Sequence, residues 1–249
     1  MTTPITFDNV TLSYDRRPAV HHLSGCFAHG SKTAIVGPNG AGKSTLMKAL
    51  MRQRLGVEGR IDFGGLRPDD FGYLPQLSEI ERGFPMTVSD VVVMGAWRRI
   101  GAFRSIGRSF SQKVAAALAA VGMSGFESRM ISSLSGGQMQ RTLFARLIVQ
   151  DAQVILLDEP FTAIDEATTR DLLDIIARWH GEGRTVIAVL HDIQQVRAAF
   201  PETLLIARKM IGWGSTPQVL TEDNLRIARN TTTAWMPDAG PCEPKDATR

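Results

Sequence analysis

A phosphate-binding pattern occurs near the N-terminal end of this sequence, where small residues lead into a lysine and two hydroxyl residues. The pattern consists of Gly37, Pro38, Asn39, Gly40, Ala41, Gly42, Lys43, Ser44 and Thr45. Small residues let successive backbone N–H groups turn toward phosphate oxygens, and the N-terminus of a following helix adds a favourable dipole. Lys43 is predicted to reach the β- and γ-phosphates of a nucleotide, and the Ser44 hydroxyl to bind magnesium. A glycine turn that matches by chance is the alternative interpretation.

Two acids and a histidine follow apolar runs later in the chain. Asp158 and Glu159 end the run 154–157, and His191 ends the run 186–190. Buried strands deliver their C-terminal residues to the crevice where ligands bind. Asp158 is therefore predicted to hold a magnesium ion through water, Glu159 to act as general base on an attacking water, and His191 to orient that water. A helix cap or a solvated strand end is the alternative for each.

A second anion site is indicated by Ser135-Gly136-Gly137-Gln138, about ninety residues beyond the phosphate-binding pattern. Ser135 and Gln138 fit a capping box, so a well-formed helix start is one interpretation. The two glycines also leave backbone N–H groups open to an anion, which is the other. One chain rarely needs two phosphate sites for one nucleotide.

The surrounding pattern predicts the elements that position these residues. Apolar residues at 33–36 predict a strand before the glycine loop, and residues from 43 onward have helical spacing. Residues 5–28 read as short strands, and residues 58–75 as a strand pair around Gly64-Gly65. The runs 154–157 and 186–190 read as central parallel strands joined by an amphipathic helix at 168–179. Strand–helix–strand alternation predicts an α/β fold with a mostly parallel sheet.

Composition excludes several classes of protein. The 249 residues carry a formal net charge of only +3, which gives no indication of nucleic-acid binding. The N-terminus lacks the layout of a signal peptide, and no run of about 18 apolar residues occurs. The sequence therefore predicts a cytoplasmic protein whose membrane work is done through a partner. His21 and His22 would point to opposite faces of a strand, so no metal-binding cluster is expected in this chain.

Six motifs occur in one characteristic order, and together they resemble the ATP-binding subunits of ABC transporters. They are GPNGAGKST, Gln76 in YLPQ, LSGGQMQR, VILLDEP, Asp165 in TAID, and His191. The resemblance covers nearly the whole chain. It implies a P-loop NTPase fold with an N-terminal antiparallel β subdomain and an inserted helical lobe. The ATP-binding domain would span 1–230, with the lobe at about 88–150 and a flexible tail at 231–249.

The resemblance also implies partners, cofactors and further site residues. Two copies would pair head to tail and hold ATP and Mg²⁺ between the phosphate loop of one and LSGGQ of the other. Gln76 would sense magnesium and the attacking water and link them to the helical lobe. Asp165 would lie at the dimer seam, and Tyr14 would stack on adenine. For Tyr14, simple packing is the alternative. An integral membrane permease would be a direct partner and a substrate-binding protein an indirect one, with this chain peripheral at the cytoplasmic face of the inner (plasma) membrane.

The segment RGFPMTVSDVVVMG, residues 82–95, indicates the branch of the family. It resembles subunits of zinc and manganese uptake systems, although Ala163 stands where those systems are expected to have glycine. Import of iron chelates or cobalamin, export, and a soluble ABC ATPase acting as an assembly factor remain the alternatives.

A basic stretch in the expected lobe bears on partners. Residues 91–126 contain no acid but carry Arg98, Arg99, Arg104, Arg108 and Lys113. This stretch is either an ordinary solvated face or a surface near anionic headgroups that grips a permease. Phe84, Met86 and Trp97 would then supply the apolar contact.

Overall fold

A nine-stranded sheet organises the chain, with strand order β4-β1-β2-β9-β8-β3-β7-β6-β5. It is seen in a computed structural model that describes residues 4–14, 17–97 and 108–233. The strands are β1 (Ile5–Tyr14), β2 (Arg17–Phe27), β3 (Lys32–Val36), β4 (Gly56–Asp62), β5 (Phe71–Leu74), β6 (Val154–Asp158), β7 (Thr185–Val189), β8 (Glu202–Ala207) and β9 (Lys209–Ser215). Strands β8, β3, β7, β6 and β5 are parallel to one another, which confirms the predicted sheet.

The N-terminal strands form the expected antiparallel unit. Strand β1 pairs with β2 on one side and with β4 on the other. Strand β2 meets the rest of the sheet at a single parallel pair, His21 with Lys209. His21 is buried and His22 exposed, so the two histidines do point to opposite faces.

The prediction for residues 58–75 is right about two strands but wrong about their pairing. Strand β4 pairs with β1 and β5 pairs with β6, at opposite ends of the sheet. The burial of the two strands explains the difference. Residues of β4 are almost all exposed, whereas β5 is mostly buried and needs cover on both faces.

Eight helices in the described ranges flank the sheet. They are α1 (Lys43–Leu50), α2 (Val88–Met94), α3 (Arg108–Ala120), α4 (Gly136–Gln150), α5 (Glu166–Gly181), α6 (Ile193–Ala199), α7 (Thr216–Val219) and α8 (Glu222–Thr233). Short 3₁₀ turns occur at Pro68–Asp70, Leu77–Glu79 and Ile131–Ser133. Helix α5 contains the predicted helix at 168–179, and its apolar face is buried as expected. The buried residues of that face include Leu172, Ile175, Ile176 and Trp179.

Helices α2, α3 and α4 lie between β5 and β6 in the chain, in the segment expected to form the helical lobe. They share one apolar core with the sheet and α5, where the Phe144 ring stacks on Trp179 at 5.6 Å. Helix α8 continues to Thr233, so the predicted tail begins inside a helix, and its remainder lies outside the described residues. Across the described ranges, no helix is both long and apolar enough to cross a bilayer.

Candidate active site

The phosphate-binding pattern forms a loop between β3 and α1, and its glycines are required by its geometry. A Cβ on Gly37 would lie 2.0 Å from the Ile206 carbonyl oxygen. Gly42, the residue before α1, has φ of 98°, and Gly40 has φ of 75°. A Cβ on Gly40 would meet no atom within 4 Å, so this part of the loop borders open space. The loop therefore packs closely against the sheet at Gly37 and is open to solvent at Gly40, which leaves room for a phosphate group.

Lys43 lies across this loop. Its Nζ donates to the carbonyl oxygens of Gly37 (2.8 Å) and Pro38 (3.0 Å). Burial lowers the pKa of Lys43, while the nearby carboxylates of Glu159 and Asp158 oppose that effect. The lysine charge is thus held between the loop and the acids at the end of β6. Ser44 is exposed on the first turn of α1, with Thr45 partly buried beside it.

Asp158 is the last residue of β6 and is only 2% exposed. Its Oδ1 atom is buried and has no hydrogen-bond partner. Burial is the main cause that raises the pKa of Asp158 to about 6, and the charges of Glu159 and Glu79 add to it. A hydrogen bond from Gln76 and the charge of Lys43 act in the opposite direction. Burial and the two neighbouring acids therefore outweigh Lys43 and Gln76, and the ionised form of Asp158 is disfavoured.

Glu159 and His191 meet because β6 and β7 are adjacent parallel strands. His191 lies two residues beyond the end of β7, and its Nε2 is 2.5 Å from Glu159 Oε1. The Thr162 hydroxyl donates to Glu159 Oε2 at 3.4 Å. Glu159 itself has φ of 49°, with its N–H bonded to the Val189 carbonyl, so a strained backbone aims this carboxylate.

An open cavity of about 430 Å³ adjoins Glu159. Its walls come from the segment after β5 and the segment after β6. The lining residues are Gln76, Leu77, Ser78, Ile80, Arg82, Glu159, Thr162 and Ala163. The structure thus brings Gln76, Asp158, Glu159 and His191 together at the carboxyl ends of the neighbouring strands β5, β6 and β7.

The segment Ser135–Gln138 starts helix α4 with the predicted capping box. Ser135 Oγ accepts from the Gln138 N–H (3.2 Å), and Gln138 Oε1 accepts from the Ser135 N–H (3.0 Å). Gly136 and Gly137 lie against Ala163 and Thr168. In the described chain no hydrogen bond links this segment to residues 37–45, so one copy does not join the two anion sites.

Asp165 is the N-cap of α5, where its carboxylate accepts from the Thr168 N–H and hydroxyl, both at 2.8 Å. These bonds lower the pKa of Asp165. Tyr14 ends β1 next to residues outside the described ranges, and its side chain is not among those described. The arginines at 98, 99 and 104 also lie outside the described residues.

Comparison with known proteins identifies the family. A family model described as ABC transporter matches residues 20–162. This chain belongs to the ABC transporter family. It is 37% identical over 227 residues to the manganese transport system ATP-binding protein MntB of Bacillus subtilis, covering 90% of this chain and 91% of that protein. It is also 37% identical over 229 residues to the zinc transport system ATP-binding protein TroB of Treponema pallidum, covering 90% and 86%.

Solved structures of ABC proteins agree with the fold. A metal-chelate type ABC transporter in an inward-facing conformation matches with a TM-score of 0.80 and 29% identity, over 91% of this chain and 89% of that chain. A bacterial Atm1-family ABC exporter with ATP bound matches with a TM-score of 0.71 and 27% identity, over 96% of this chain and 43% of that one.

Two residues of this ABC chain belong to the site but were missed in the sequence. Tyr73 on β5 faces Asp158, and burial, together with that carboxylate, raises the pKa of its phenol. Thr162 bonds Glu159. The available signal was the position of Tyr73 three residues before Gln76 in the YLPQ motif, because residues near the carboxyl end of a strand lie close to the ligand crevice.

The residues present fit a magnesium ion. Asp158 Oδ1 is an orphaned buried acceptor, Gln76 supplies an amide oxygen, and Ser44 supplies an exposed hydroxyl. Carboxylate, amide and hydroxyl oxygens are the hard ligands that magnesium prefers.

Proposed function

We propose that this ABC ATPase is the nucleotide-hydrolysing subunit of an importer for a divalent metal ion, manganese or zinc, acting through a separate membrane permease. The observation that carries the ATPase role is that Glu159 bonds His191 and also acts electrostatically on Lys43 of the phosphate loop. The cargo is supported by the two relatives, which serve manganese and zinc transport systems.

Lys43 begins the proposed mechanism by exchanging one partner for another. Its Nζ leaves the carbonyls of Gly37 and Pro38, which it now bonds, for phosphate oxygens of ATP. Ser44, Gln76 and Asp158 would hold Mg²⁺, and the ion would neutralise phosphate charge. The unpartnered Oδ1 of Asp158 supports this assignment, since a cation would relieve its isolation.

Glu159 then accepts the proton of the attacking water. Its bond to His191 and its strained backbone hold the carboxylate in one place, and the open cavity beside it leaves room for water. Positioning of this kind lowers the barrier without any new covalent chemistry in the protein. His191 keeps the pair oriented as the proton is transferred.

The proposed assembly is a head-to-tail dimer on a permease, peripheral to the cytoplasmic face of the membrane. Ser135–Gln138 has no bond to residues 37–45 of its own chain within the described parts, which supports its use on a second copy's ATP. Phe84 (62% exposed) and Trp97 (59% exposed) offer apolar contact to the permease, whereas Met86 packs partly into the core. A substrate-binding protein would act on the permease from the other side, and Tyr14 and Asp165 would serve adenine and the dimer seam.

Replacement of Glu159 tests the ATPase role. Glu159→Gln keeps the size of the side chain and one acceptor oxygen but removes its basicity, so ATP binding should persist while kcat falls by roughly 10²–10⁴-fold. Glu222→Gln, at the exposed start of α8, is the control and should hydrolyse ATP like the wild type. Unchanged turnover in Glu159→Gln would remove the general-base assignment.

The cargo is tested in vesicles that contain the permease co-purified with this chain. ATP-dependent uptake of manganese or zinc is expected. A metal-chelate cargo is the second candidate, favoured by the solved metal-chelate type relative, and would appear as uptake of an iron chelate in the same vesicles. Co-purification with soluble scaffold proteins and no permease would contradict the transporter assignment and favour an assembly factor.

A further inference from the structure

Strand β5 is the edge of the nine-stranded sheet, and its outer side is closed by side chains rather than by another strand. In a parallel pair, alternate residues direct their backbone groups to the neighbour, which leaves the others open. Here the open carbonyls of Phe71 and Tyr73 accept from Gln150 Nε2 (2.9 Å) and Arg146 (2.6 Å). These four residues are called the carbonyl clamp below.

The spacing of the clamp follows from helix and strand geometry. Four residues of helix rise about 6 Å, and two residues of strand advance about 6.6 Å. Arg146 on α4 therefore lies opposite the Tyr73 carbonyl of β5, and Gln150 lies opposite the Phe71 carbonyl. Gly72 between the acceptors permits the approach, since a Cβ there would lie 3.0 Å from Leu147 and 3.3 Å from Gln150 Oε1.

An arginine at position 146 places a charged group in a buried contact, which lowers the stability of the fold. Its Nε is buried without a partner, and burial lowers the pKa of its guanidinium. Within the described ranges it makes no ion pair, and its guanidinium donates to a backbone carbonyl instead. Its stem is also enclosed, because a Cβ on Gly95 at the end of α2 would lie 3.2 Å from Arg146 Cγ. A buried charge without an ionic partner costs stability, which argues for a role beyond closing the edge.

The two ends of the clamp lead to two parts of the site. Tyr73 is three residues before Gln76, and Pro75 between them has a fixed φ, so the link is short and stiff. Helix α4 begins immediately after Ser135, and Arg146 lies ten residues into a continuous helix from Gly136. Tyr73 in addition faces Asp158 with its phenol.

We propose that Arg146 and Gln150 are positioning residues for ATP hydrolysis, which fasten the end of β5 to α4 and so hold Gln76 in place beside Asp158. This inference rests on the proposed function, because it acts through Gln76. Because β5 pairs with β6 along its length, the same contacts fix Gln76 relative to Asp158 at the end of β6.

The test uses ATPase kinetics of the full chain. Arg146→Met keeps much of the volume but removes the donors, and is expected to lower kcat about 10- to 100-fold, with KM for ATP changed little because Lys43 and its loop lie on other elements. Gln150→Met removes one neutral donor and should lower kcat less. Arg146→Lys keeps a donor and should restore part of kcat.

Arg184→Met is the matched control. Arg184 is also a partly buried arginine that donates to a backbone carbonyl, that of Ala152 at 3.1 Å, but its charge is paired with Asp151 and Glu182 and its carbonyl partner lies outside β5. It should lose thermal stability and keep kcat. If Arg146→Met does not fold, as judged by circular dichroism, then Gln150→Met and Arg146→Lys are compared with this control.

A double-mutant cycle with Gln76→Ala tests whether Arg146 changes kcat through Gln76. If the clamp acts through Gln76, Gln76→Ala with Arg146→Met has the kcat of Gln76→Ala alone. Multiplied losses, or a fall in kcat that Arg184→Met shares, would overturn the inference. Glu159→Gln distinguishes failure of the proposed function from failure of this inference. Hydrolysis that survives in Glu159→Gln means failure of the proposed function. Hydrolysis that depends on Glu159, together with multiplied kcat losses for Arg146→Met and Gln76→Ala, means failure of this inference alone.

Discussion

Asp158→Asn is expected to stabilise the nucleotide-free protein at neutral pH, although it removes a residue assigned to the site. The carboxylate is 2% exposed, lies near Glu159 and Glu79, and has an unpartnered Oδ1. Asparagine has nearly the same shape without the charge. The variant therefore removes the cost of burying an ionised carboxylate among acids.

The magnitude follows from the pKa. Burial and neighbouring acids raise the pKa of Asp158 from 3.8 to about 6. Each unit corresponds to about 1.4 kcal/mol, so the ionised group costs the folded state about 3 kcal/mol. Since the folded pKa is the higher one, the folded state binds more protons. The wild type therefore loses stability as pH rises from about 4 to about 6, and the loss is complete above that range.

Urea unfolding of both proteins between pH 5 and pH 8 measures this effect. The advantage of Asp158→Asn should approach about 3 kcal/mol at pH 8 and fall to about half of that at pH 5. Asp174→Asn, at an exposed position of α5, is the control and should show no pH-dependent gain. An advantage that is absent at pH 8, or equal at both pH values, would refute the electrostatic reasoning.

Three further outcomes are expected. Gly37→Ala should destabilise the protein by about 1–3 kcal/mol in urea unfolding and weaken ATP binding, because its Cβ would lie 2.0 Å from the Ile206 carbonyl oxygen. Ala163→Gly should leave urea stability unchanged or raise it by up to about 1 kcal/mol, because Ala163 has φ of 60°, a conformation that costs an alanine roughly 1–2 kcal/mol. Ser135→Arg should block ATP-dependent dimerisation of the folded protein in gel filtration, because it places a bulky cation at the helix start.

Each of these has an outcome that contradicts it. Gly181→Ala is the control for Gly37→Ala, because Gly181 lies in α5 without a positive φ and an added Cβ would meet no atom within 4 Å. An equal loss in both variants would exclude the steric explanation. A loss above 1 kcal/mol in Ala163→Gly would show that the side chain, not the backbone, matters there. A normal dimer of Ser135→Arg with ATP would argue against LSGGQ acting across a dimer seam.

Local interactions account for what the sequence predicted well. The phosphate loop, the capping box at Ser135 and Gln138 and the amphipathic face of α5 depend on residues only a few positions apart. Their geometry follows from backbone freedom, helix period and short hydrogen bonds. The family, the α/β fold and the arrangement of acids at strand ends were therefore predictable from the chain alone.

Long-range pairing accounts for what was missed. Strands β4 and β5 are separated by only a short segment but go to opposite ends of the sheet, and no local pattern distinguishes a hairpin from this arrangement. The spacing of Arg146 and Gln150 on α4 gains meaning only when β5 lies beside it with Phe71 and Tyr73 turned outward.

The sequence by itself determined which groups are available for ATP chemistry and the order in which the chain supplies them. Only the tertiary structure decided how they act on one another: that Glu159 bonds His191, that Asp158 is buried without a partner for Oδ1, and that Lys43 lies on its own loop. The physical reason is that burial and electrostatic coupling depend on distance in space, and the sheet brings residues far apart in sequence within a few ångströms of one another.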